Sequence, residues 1–217
     1  MNILLIRACK RDDYIARLCY ESWKLAGFNG RIVLYSEDYK SQWFSGIDIE
    51  IIKRNYCDNF GGQIGAATML EGFKKINFSK EDFIISCDSD IIVKINPTEN
   101  IDFDFGGVGG IIELGTGRYV TEETDTRKMW HFSGQLQILN GKYLYDIIQD
   151  SSETIRDIYQ KMRDDHISFA DDTYMSYRMN MIKDLKIKTL NNHWQHAKYY
   201  QFEGRTDWQE IINNIQI

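Results

Sequence analysis

Long apolar runs are missing from this 217-residue sequence, and basic residues are fewer than acidic ones. No stretch approaches the roughly eighteen consecutive apolar residues of a membrane span, so we expect none. The net charge of −6 argues against a nucleic-acid partner, because clustered lysine and arginine are needed to neutralise phosphates. The opening run Met1–Arg7 is too short for a signal sequence and has no basic leader, which predicts a cytoplasmic protein or a soluble piece of a larger one.

The cysteine and glycine patterns disfavour further classes of protein. The four cysteines form no C-x-x-C pair, which predicts buried free thiols and neither disulfides nor a zinc site. They are Cys9, Cys19, Cys57 and Cys87. No glycine directly follows the first apolar run, where dinucleotide-binding proteins and sugar nucleotidyltransferases carry a glycine-rich loop, so both classes are disfavoured.

Apolar periodicity predicts one α/β domain over residues 1–217. A strand-like run at Asn2–Ala8 is followed by an amphipathic helix that ends at Gly27, and then by strands at Arg31–Tyr35 and Asp48–Lys53. This β-α-β opening predicts a right-handed crossover and a parallel sheet. The hydrophobic fraction of 43% is close to the globular average, so a disordered chain is not expected.

The rest of the chain continues the α/β pattern less regularly. Strands are predicted at 83–87, 91–95, 111–112, 135–139 and 185–190, and helices at 66–76, 141–149, 153–165 and 171–181. Residues 114–128 are polar and contain Gly115 and Gly117, which predicts a surface loop. The glycines of Gly106–Gly110 predict a strand that bends where its backbone passes close to another group.

Asp88-Ser89-Asp90 is the strongest functional signal in the chain. It directly follows Phe83–Cys87, an apolar run typical of a central strand covered on both faces. Open α/β sheets bind their ligands at the carboxyl ends of such strands. Carboxylate oxygens suit Mg²⁺ or Mn²⁺, which then takes further oxygens from phosphate and water. The motif therefore predicts a divalent-cation site for an anionic ligand, although aspartates at a strand end also cap turns.

Three segments resemble GT-A-fold glycosyltransferases. Residues 83–93 resemble the strand and DxD motif of that family, His131–Asn140 is similar to its Ser-Gly segment beside the acceptor, and Ala170–Met175 resembles its later acidic helix start. The resemblance implies a GT-A-like fold with a central, mostly parallel twisted sheet flanked by helices. The nucleotide-binding half is expected at 1–95 and the acceptor-binding half at 96–217. The short, lysine- and isoleucine-rich chain is also similar to glycosyltransferase domains of large algal DNA viruses.

The resemblance implies a metal-dependent hexosyl- or deoxyhexosyltransferase. Its partners are a nucleotide-sugar donor, with UDP-sugar favoured, and a glycan or other hydroxyl acceptor, and its cofactor is Mn²⁺ or Mg²⁺. Asp90 is expected to bind the ion directly, and Asp88 to contact the ribose or a water on the ion. A late histidine supplies a further ligand in many members, and we favour His196 over His193 because it opens the loop after the last strand.

The resemblance also implies donor and acceptor residues. The donor is expected to lie over the first strand ends, the start of the second helix and the aspartate motif. These positions are Ala8, Cys9, Arg11, Tyr35, Glu37, Arg54, Gln63, Gly65, Asp88 and Ser89. Arg54 is equally suited to a solvated surface position. Ser133, Gly134 and Gln135 are expected beside the acceptor or the donor sugar.

Asp171 and Asp172 are the candidate catalytic residues. The mostly apolar Ile167–Ala170 brings them to the edge of the core at a predicted helix start, where the helix dipole stabilises carboxylates. We expect Asp171 to be the helix N-cap. We expect Asp172 to face the acceptor hydroxyl, as general base in an inverting reaction or as a positioning group in a retaining one.

Two other functions stay open. Trp130, Tyr199, Tyr200 and Trp208 suit stacking on sugar rings, as in a non-catalytic carbohydrate- or nucleotide-sugar-binding module, although core packing explains most aromatics. Gly115–Gly117 weakly resembles the phosphate loop of sugar nucleotidyltransferases but does not follow the first strand. Hydrolysis of a donor sugar distinguishes an enzyme from a binding module.

Overall fold

The computed structural model describes residues 1–8, 13–37, 42–54, 62–167, 170–191, 194–196 and 206–214, the segment 194–196 by its backbone alone. The strands are β1 (Asn2–Ala8), β2 (Arg31–Ser36), β3 (Glu50–Lys53), β4 (Phe83–Asp88), β5 (Ile91–Val93), β6 (Phe105–Glu113), β7 (Tyr119–Val120), β8 (Lys128–Asn140), β9 (Ile187–Thr189) and β10 (Trp194–His196). The helices are α1 (Asp13–Leu25), α2 (Gly62–Lys75), α3 (Gly141–Ile147), α4 (Ser152–Asp164), α5 (Asp171–Asn180) and α6 (Trp208–Asn214).

One mixed sheet forms the centre of the protein. Its strand order is β3-β2-β1-β4-β8-β6-β7, with β9 beside β6. The strands β3, β2, β1 and β4 are parallel, so their carboxyl ends meet at one edge, whereas β8 runs antiparallel to both β4 and β6. The short strands β5 and β10 form a separate antiparallel pair. The predicted α/β class with a mostly parallel central sheet is confirmed.

Helices cover both faces of the sheet. On β1, Ile3 and Leu5 belong to a core shared with α2, α4 and α5, whereas Leu4 and Ile6 belong to a second core that includes Trp23 of α1. This alternation follows from the pleat of the strand, which turns successive side chains to opposite faces. None of the helices in the described ranges combines the length and apolar character needed to cross a membrane.

The antiparallel half departs most from the sequence prediction. β8 spans Lys128–Asn140 rather than 135–139, and β7 lies inside the predicted 114–128 loop. In the first half of β8 only Met129 and Phe132 are fully buried, so polar residues on the less covered face hide the strand pattern. The helix α6 was not predicted, and its Ile211 and Ile212 pack in a small apolar cluster with α1.

A bulge in β8 carries the predicted acceptor segment. Gly107 of β6 pairs with Gln137, but Gly109 pairs with Phe132, so β8 has extra residues between these two contacts. A Cβ atom on Gly107 would lie 2.6 Å from the Leu136 carbonyl oxygen, which confirms the predicted close approach of the β6 backbone. Because β4 pairs with β8 only as far as Leu136, residues 133–135 project beyond the ladder at the end of β4.

Candidate active site

Arg7 lies at the centre of the candidate site. It is opposite Asp88 in the β1–β4 register, at the carboxyl edge of the parallel strands. Its Nη2 donates to Asp88 Oδ1 at 2.7 Å and to the Gly134 carbonyl oxygen at 2.8 Å, while Nη1 donates to Asp171 Oδ2 at 2.9 Å. The side chain of Arg7 is only 11% exposed. One guanidinium therefore joins β1, β4, the β8 bulge and α5.

Asp171 and Asp172 occupy the first turn of α5, as predicted, but with different partners. Ala170 is the N-cap and makes no side-chain cap hydrogen bond, so the assignment of Asp171 as N-cap is wrong. Asp171 instead lies inside the helix, where Oδ1 accepts from the Asp172 N–H at 2.9 Å and Oδ2 is paired with Arg7. The physical reason is the buried guanidinium of Arg7: its charge-assisted hydrogen bond engages the Asp171 carboxylate, which therefore does not cap the helix.

The carboxylate of Asp172 is held by two backbone groups. Oδ1 accepts from the Thr173 N–H at 2.6 Å, and Oδ2 accepts from the Gly134 N–H at 2.8 Å. The backbone of Gly134 therefore contacts two side chains of the site, Asp172 through its N–H and Arg7 through its carbonyl oxygen. Its neighbour Ser133 accepts from the Gln135 N–H at 3.2 Å, which shapes the bulge. The predicted acceptor segment and the predicted catalytic pair thus lie together.

The site has more negative than positive charge. Although the Asp88 side chain is partly exposed, the surrounding protein desolvates its carboxyl group and raises its pKa to about 6; the charge of Arg7 opposes this shift, and the charges of Asp171, Asp90 and Asp172 add to it. Burial alone lowers the pKa of Arg7, but the surrounding carboxylates outweigh it and hold that pKa above its usual range. The carboxyl groups of Asp88, Asp171 and Asp172 thus surround a single guanidinium, and Asp90 adds negative charge near Asp88, an arrangement that attracts a further cation.

Asp88 and Asp90 fit a divalent cation in charge and access. The Asp88 side chain is 39% exposed although one oxygen is engaged by Arg7, so part of the carboxyl remains open to a ligand. Among the described residues, no three His, Cys, Asp or Glu side chains converge as a complete metal site. Mg²⁺ commonly binds through one or two carboxylates plus phosphate and water, so two aspartates are chemically suited to it. The β10 backbone places His196 opposite Ile91, directly after Asp90.

The predicted donor residues on the first strands lie along the same edge. Ala8 ends β1 and pairs with Ser36, directly before Glu37. Arg54 follows β3, is 4% exposed and forms an ion pair with Glu37 at 3.8 Å. A solvated surface position for Arg54, the alternative reading of the sequence, is therefore wrong. Ser89 is 6% exposed, and its backbone N–H donates to the Arg7 carbonyl oxygen at 3.1 Å.

The remaining donor candidates divide between core and edge. Tyr35 is 2% exposed, and its ring lies against Gly72 of α2, so its role in the fold is packing. Gln63 is exposed in the first turn of α2, whereas Gly65, two residues later, is buried. Tyr159 connects the start of α2 to the start of α5. Its hydroxyl donates to the Gly62 carbonyl oxygen at 2.6 Å and lies 3.4 Å from the Ala170 carbonyl oxygen.

Several predicted positions lie outside the described residues. These are Cys9, Arg11, Cys57, His193, Tyr199 and Tyr200, together with the side chain of His196. Two of the predicted buried cysteines, Cys19 and Cys87, are buried thiols whose sulfur atoms lie 3.8 Å apart behind Asp88.

Among the features behind the two alternative functions, Trp130, Trp208 and the two glycines have structural roles in the described part of the chain. Trp208 packs against Tyr14 with ring centroids 5.4 Å apart, and Trp130 lies 5.9 Å from Phe132. Gly115 and Gly117 have positive φ angles of 98° and 65° in the turn between β6 and β7. That turn follows an antiparallel strand, so it does not occupy the place of a phosphate loop after β1.

Two polar residues of the site were not predicted. Arg7 is the only charged side chain in the apolar run of β1, and Gln137 interrupts the apolar end of β8. Gln137 is 1% exposed and donates to the carbonyl oxygens of Phe132 at 2.6 Å and Asp172 at 3.3 Å. A single polar residue in an otherwise buried strand needs a hydrogen-bond partner, and this is the sequence signal that could have identified both residues as part of the site.

A chain of polar contacts also leads from Asp172 to the surface. Thr173 Oγ1 lies 3.2 Å from Asp172 Oδ1 and 3.2 Å from His131 Nε2, and the Tyr119 hydroxyl lies 3.4 Å from His131 Nδ1. Burial lowers the pKa of His131, and the charge of Asp172 only partly opposes that shift. His131 is therefore neutral near pH 7, with one ring nitrogen as donor and the other as acceptor.

No family model matches the chain, and no curated protein matches it. Solved structures of glycosyltransferases do. The galactosyltransferase LgtC, in complex with donor and acceptor sugar analogues, is similar with a TM-score of 0.54 and 13% identity, over 87% of this chain and 73% of that one. Mouse xyloside xylosyltransferase 1, in its apo form, is similar with a TM-score of 0.54 and 12% identity, over 100% of this chain and 95% of that one. These likenesses show a shared fold and confirm the predicted GT-A-like architecture.

Proposed function

We propose that this chain is a glycosyltransferase that moves a sugar from a nucleotide-diphosphate donor, with UDP-sugar favoured, to a glycan or other hydroxyl acceptor. The supporting observation is the meeting of Asp88 with Asp171 and Asp172 around Arg7 at the carboxyl edge of the sheet. Ligands of open α/β sheets bind at this edge. The fold shared with two solved glycosyltransferases supports the same reaction class.

Asp90 and Asp88 are the proposed ligands of Mn²⁺ or Mg²⁺, and His196 is the proposed third. The His196 backbone pairs with Ile91, so the chain segment that carries this histidine runs beside the aspartate motif. When bound, the ion supplies Lewis-acid stabilisation of the departing diphosphate. The carboxyl edge of β1, β2 and β3 is the proposed place of the nucleotide.

Asp172 is the proposed catalytic residue. Transfer breaks the bond between the anomeric carbon and the diphosphate oxygen and forms a bond to the acceptor oxygen, whose proton must leave. In an inverting reaction Asp172 accepts that proton, and in a retaining reaction it positions the acceptor hydroxyl. The N–H groups of Gly134 and Thr173 fix its carboxylate, which reduces the orientational freedom lost in the transition state. Ser133 and Gln135 are the proposed neighbours of the sugar.

A thermal-shift panel of nucleotide sugars, each with and without Mn²⁺, tests this function. A ligand that binds only the native state raises the melting temperature with its concentration. We expect UDP-sugars to stabilise the chain in Mn²⁺ and to lose most of that effect in EDTA. Stabilisation by no nucleotide sugar, under conditions where the chain is folded, would contradict the proposed donor class.

A further inference from the structure

Arg7 joins two carboxylates of the candidate site beside the aspartate motif. Its two terminal nitrogens bind carboxylates from different elements, Asp88 on β4 and Asp171 on α5. The planar guanidinium fixes the angle between these two bonds, which a point charge such as an ammonium does not. Its side chain is 11% exposed, and that of Asp171 is 15% exposed, so solvent screens this part of the contact weakly.

The same guanidinium opposes a metal ion at Asp88. It occupies Asp88 Oδ1 at 2.7 Å and places a positive charge beside the position that a cation must approach. Two cations within a few ångströms repel each other strongly when water is partly excluded. A donor diphosphate changes this balance, because its negative charges attract both the ion and Arg7.

We propose that Arg7 is a positioning residue that fixes the separation of Asp88 and Asp171 and makes divalent-cation binding depend on the diphosphate. This inference rests on the proposed metal role of Asp88. The free protein should bind Mn²⁺ weakly, and the protein with nucleotide diphosphate should bind it tightly. Because binding is reciprocal, Mn²⁺ should strengthen nucleotide binding by the same factor. The ion and the nucleotide then arrive as a unit at a site already organised by Arg7.

Removing the Arg7 charge separates this role from a purely structural one. Loss of a structural ion pair should leave Mn²⁺ affinity unchanged or lower it. Loss of a repelling charge should instead raise the affinity for Mn²⁺ alone, by about tenfold for a partly screened pair. Arg178, near the end of α5, offers a matched control because it is also a largely buried arginine in an ion pair. Its side chain is 19% exposed and donates to both carboxylate oxygens of Asp150 at 2.7 and 2.9 Å.

The experiment is a calorimetric titration of Mn²⁺ into the full chain, with and without saturating UDP. In the parent, UDP should raise Mn²⁺ affinity at least tenfold. In Arg7→Met, affinity for Mn²⁺ alone should rise about tenfold and the effect of UDP should shrink accordingly. Arg178→Met, which leaves the site intact, should bind Mn²⁺ alone as the parent does. Arg7→Lys keeps the charge but not the planar fork, so its affinity for Mn²⁺ alone should stay below that of Arg7→Met.

Each outcome decides a different point. Parental affinity of Arg7→Met for Mn²⁺ alone, with the UDP effect retained, would overturn the role of Arg7 while leaving the metal site standing. If the parent binds no Mn²⁺ even with UDP, the proposed function itself fails. Circular dichroism identifies unfolded variants. Should Arg7→Met not fold, Arg7→Gln replaces it, because glutamine is neutral and still donates a hydrogen bond; the same rise in Mn²⁺ affinity is expected. Independently of any variant, the inference is overturned if the parent binds Mn²⁺ with the same affinity in the presence and absence of UDP.

Discussion

Gly134→Ala adds a methyl group at the most crowded point of the site. A Cβ atom at this position would lie 2.7 Å from Arg7 Nη2, 3.4 Å from Asp172 Cβ and 3.5 Å from Asp88 Oδ2. The first distance is shorter than real Cβ contacts allow, so the guanidinium must move. Gly134 has no positive φ angle, and the backbone itself therefore accepts alanine.

Two opposing contributions determine how much Gly134→Ala changes the free energy of unfolding. Replacing glycine by alanine in a strand is favourable by about 0.5–1 kcal/mol through the entropy of the unfolded chain. Moving Nη2 weakens its bonds to Asp88 and to the Gly134 carbonyl, and a hydrogen bond to a charged group contributes about 1.5–3 kcal/mol. We therefore expect a net loss of about 1–2 kcal/mol. For a chain of 217 residues this lowers the melting temperature by about 2–8 °C.

Thermal and urea unfolding of three variants provide the assay. Gly110→Ala is the matched control, because its Cβ would lie 3.3 Å from Tyr119, whose exposed ring can turn away. Its stability should match that of the parent or exceed it by up to about 1 kcal/mol, because the favourable alanine term acts there without a fixed neighbour. In an Arg7→Met background, Gly134→Ala should cost much less than in the parent, since the atom that the methyl group meets is gone.

A stabilised Gly134→Ala variant would refute the reasoning, because the favourable alanine term would then act without a clash. The reasoning would also be refuted if Gly134→Ala lowered the free energy of unfolding by the same amount in the Arg7→Met background as in the parent. Either result would mean that the guanidinium is not fixed where its hydrogen bonds place it.

Four further predictions concern the carboxylates. Asp90→Asn should keep the melting temperature but lower Mn²⁺-dependent UDP affinity at least tenfold by calorimetry, because a direct ligand charge is removed. Since the pKa of Asp88 is raised to about 6 and the ion needs the ionised form, Mn²⁺ affinity should fall about tenfold per pH unit below pH 6 and level off above it. Asp172→Asn should bind donor normally but lose about 10²- to 10⁴-fold in transfer rate. Asp171→Asn should lower stability by about 1 kcal/mol, measured by urea unfolding, through its weakened bond to Arg7.

The parallel half of the fold was predictable because its signals are local. Apolar runs such as Asn2–Ala8 and Phe83–Cys87 are buried on both faces, and strands of this kind are readable from composition alone. The position of Asp88-Ser89-Asp90 at the carboxyl edge of the sheet was predictable for the same reason, since these residues end such a run. The start of α5 at Asp171 also agreed with its pattern.

The contacts that organise the site were not predictable, because they join residues far apart in sequence. The Arg7–Asp171 pair links residues separated by 164 positions. The N-cap assignment failed for this reason, since a distant guanidinium outweighed the local preference of aspartate for a cap. The first half of β8 was missed because its exposed face carries polar residues such as His131.

The central claim is sugar transfer at the Asp88–Asp90 site, and its most direct measurement is release of nucleoside diphosphate from a panel of nucleotide sugars. The full chain should slowly release UDP and free sugar from at least one UDP-sugar in Mn²⁺, with faster release once an acceptor is present. EDTA and the Asp90→Asn substitution should each abolish that release, while Gly110→Ala should not affect it. Mn²⁺-dependent donor binding without turnover, with any acceptor tested, would indicate a binding module, and turnover unchanged by EDTA or Asp90→Asn would contradict the metal site.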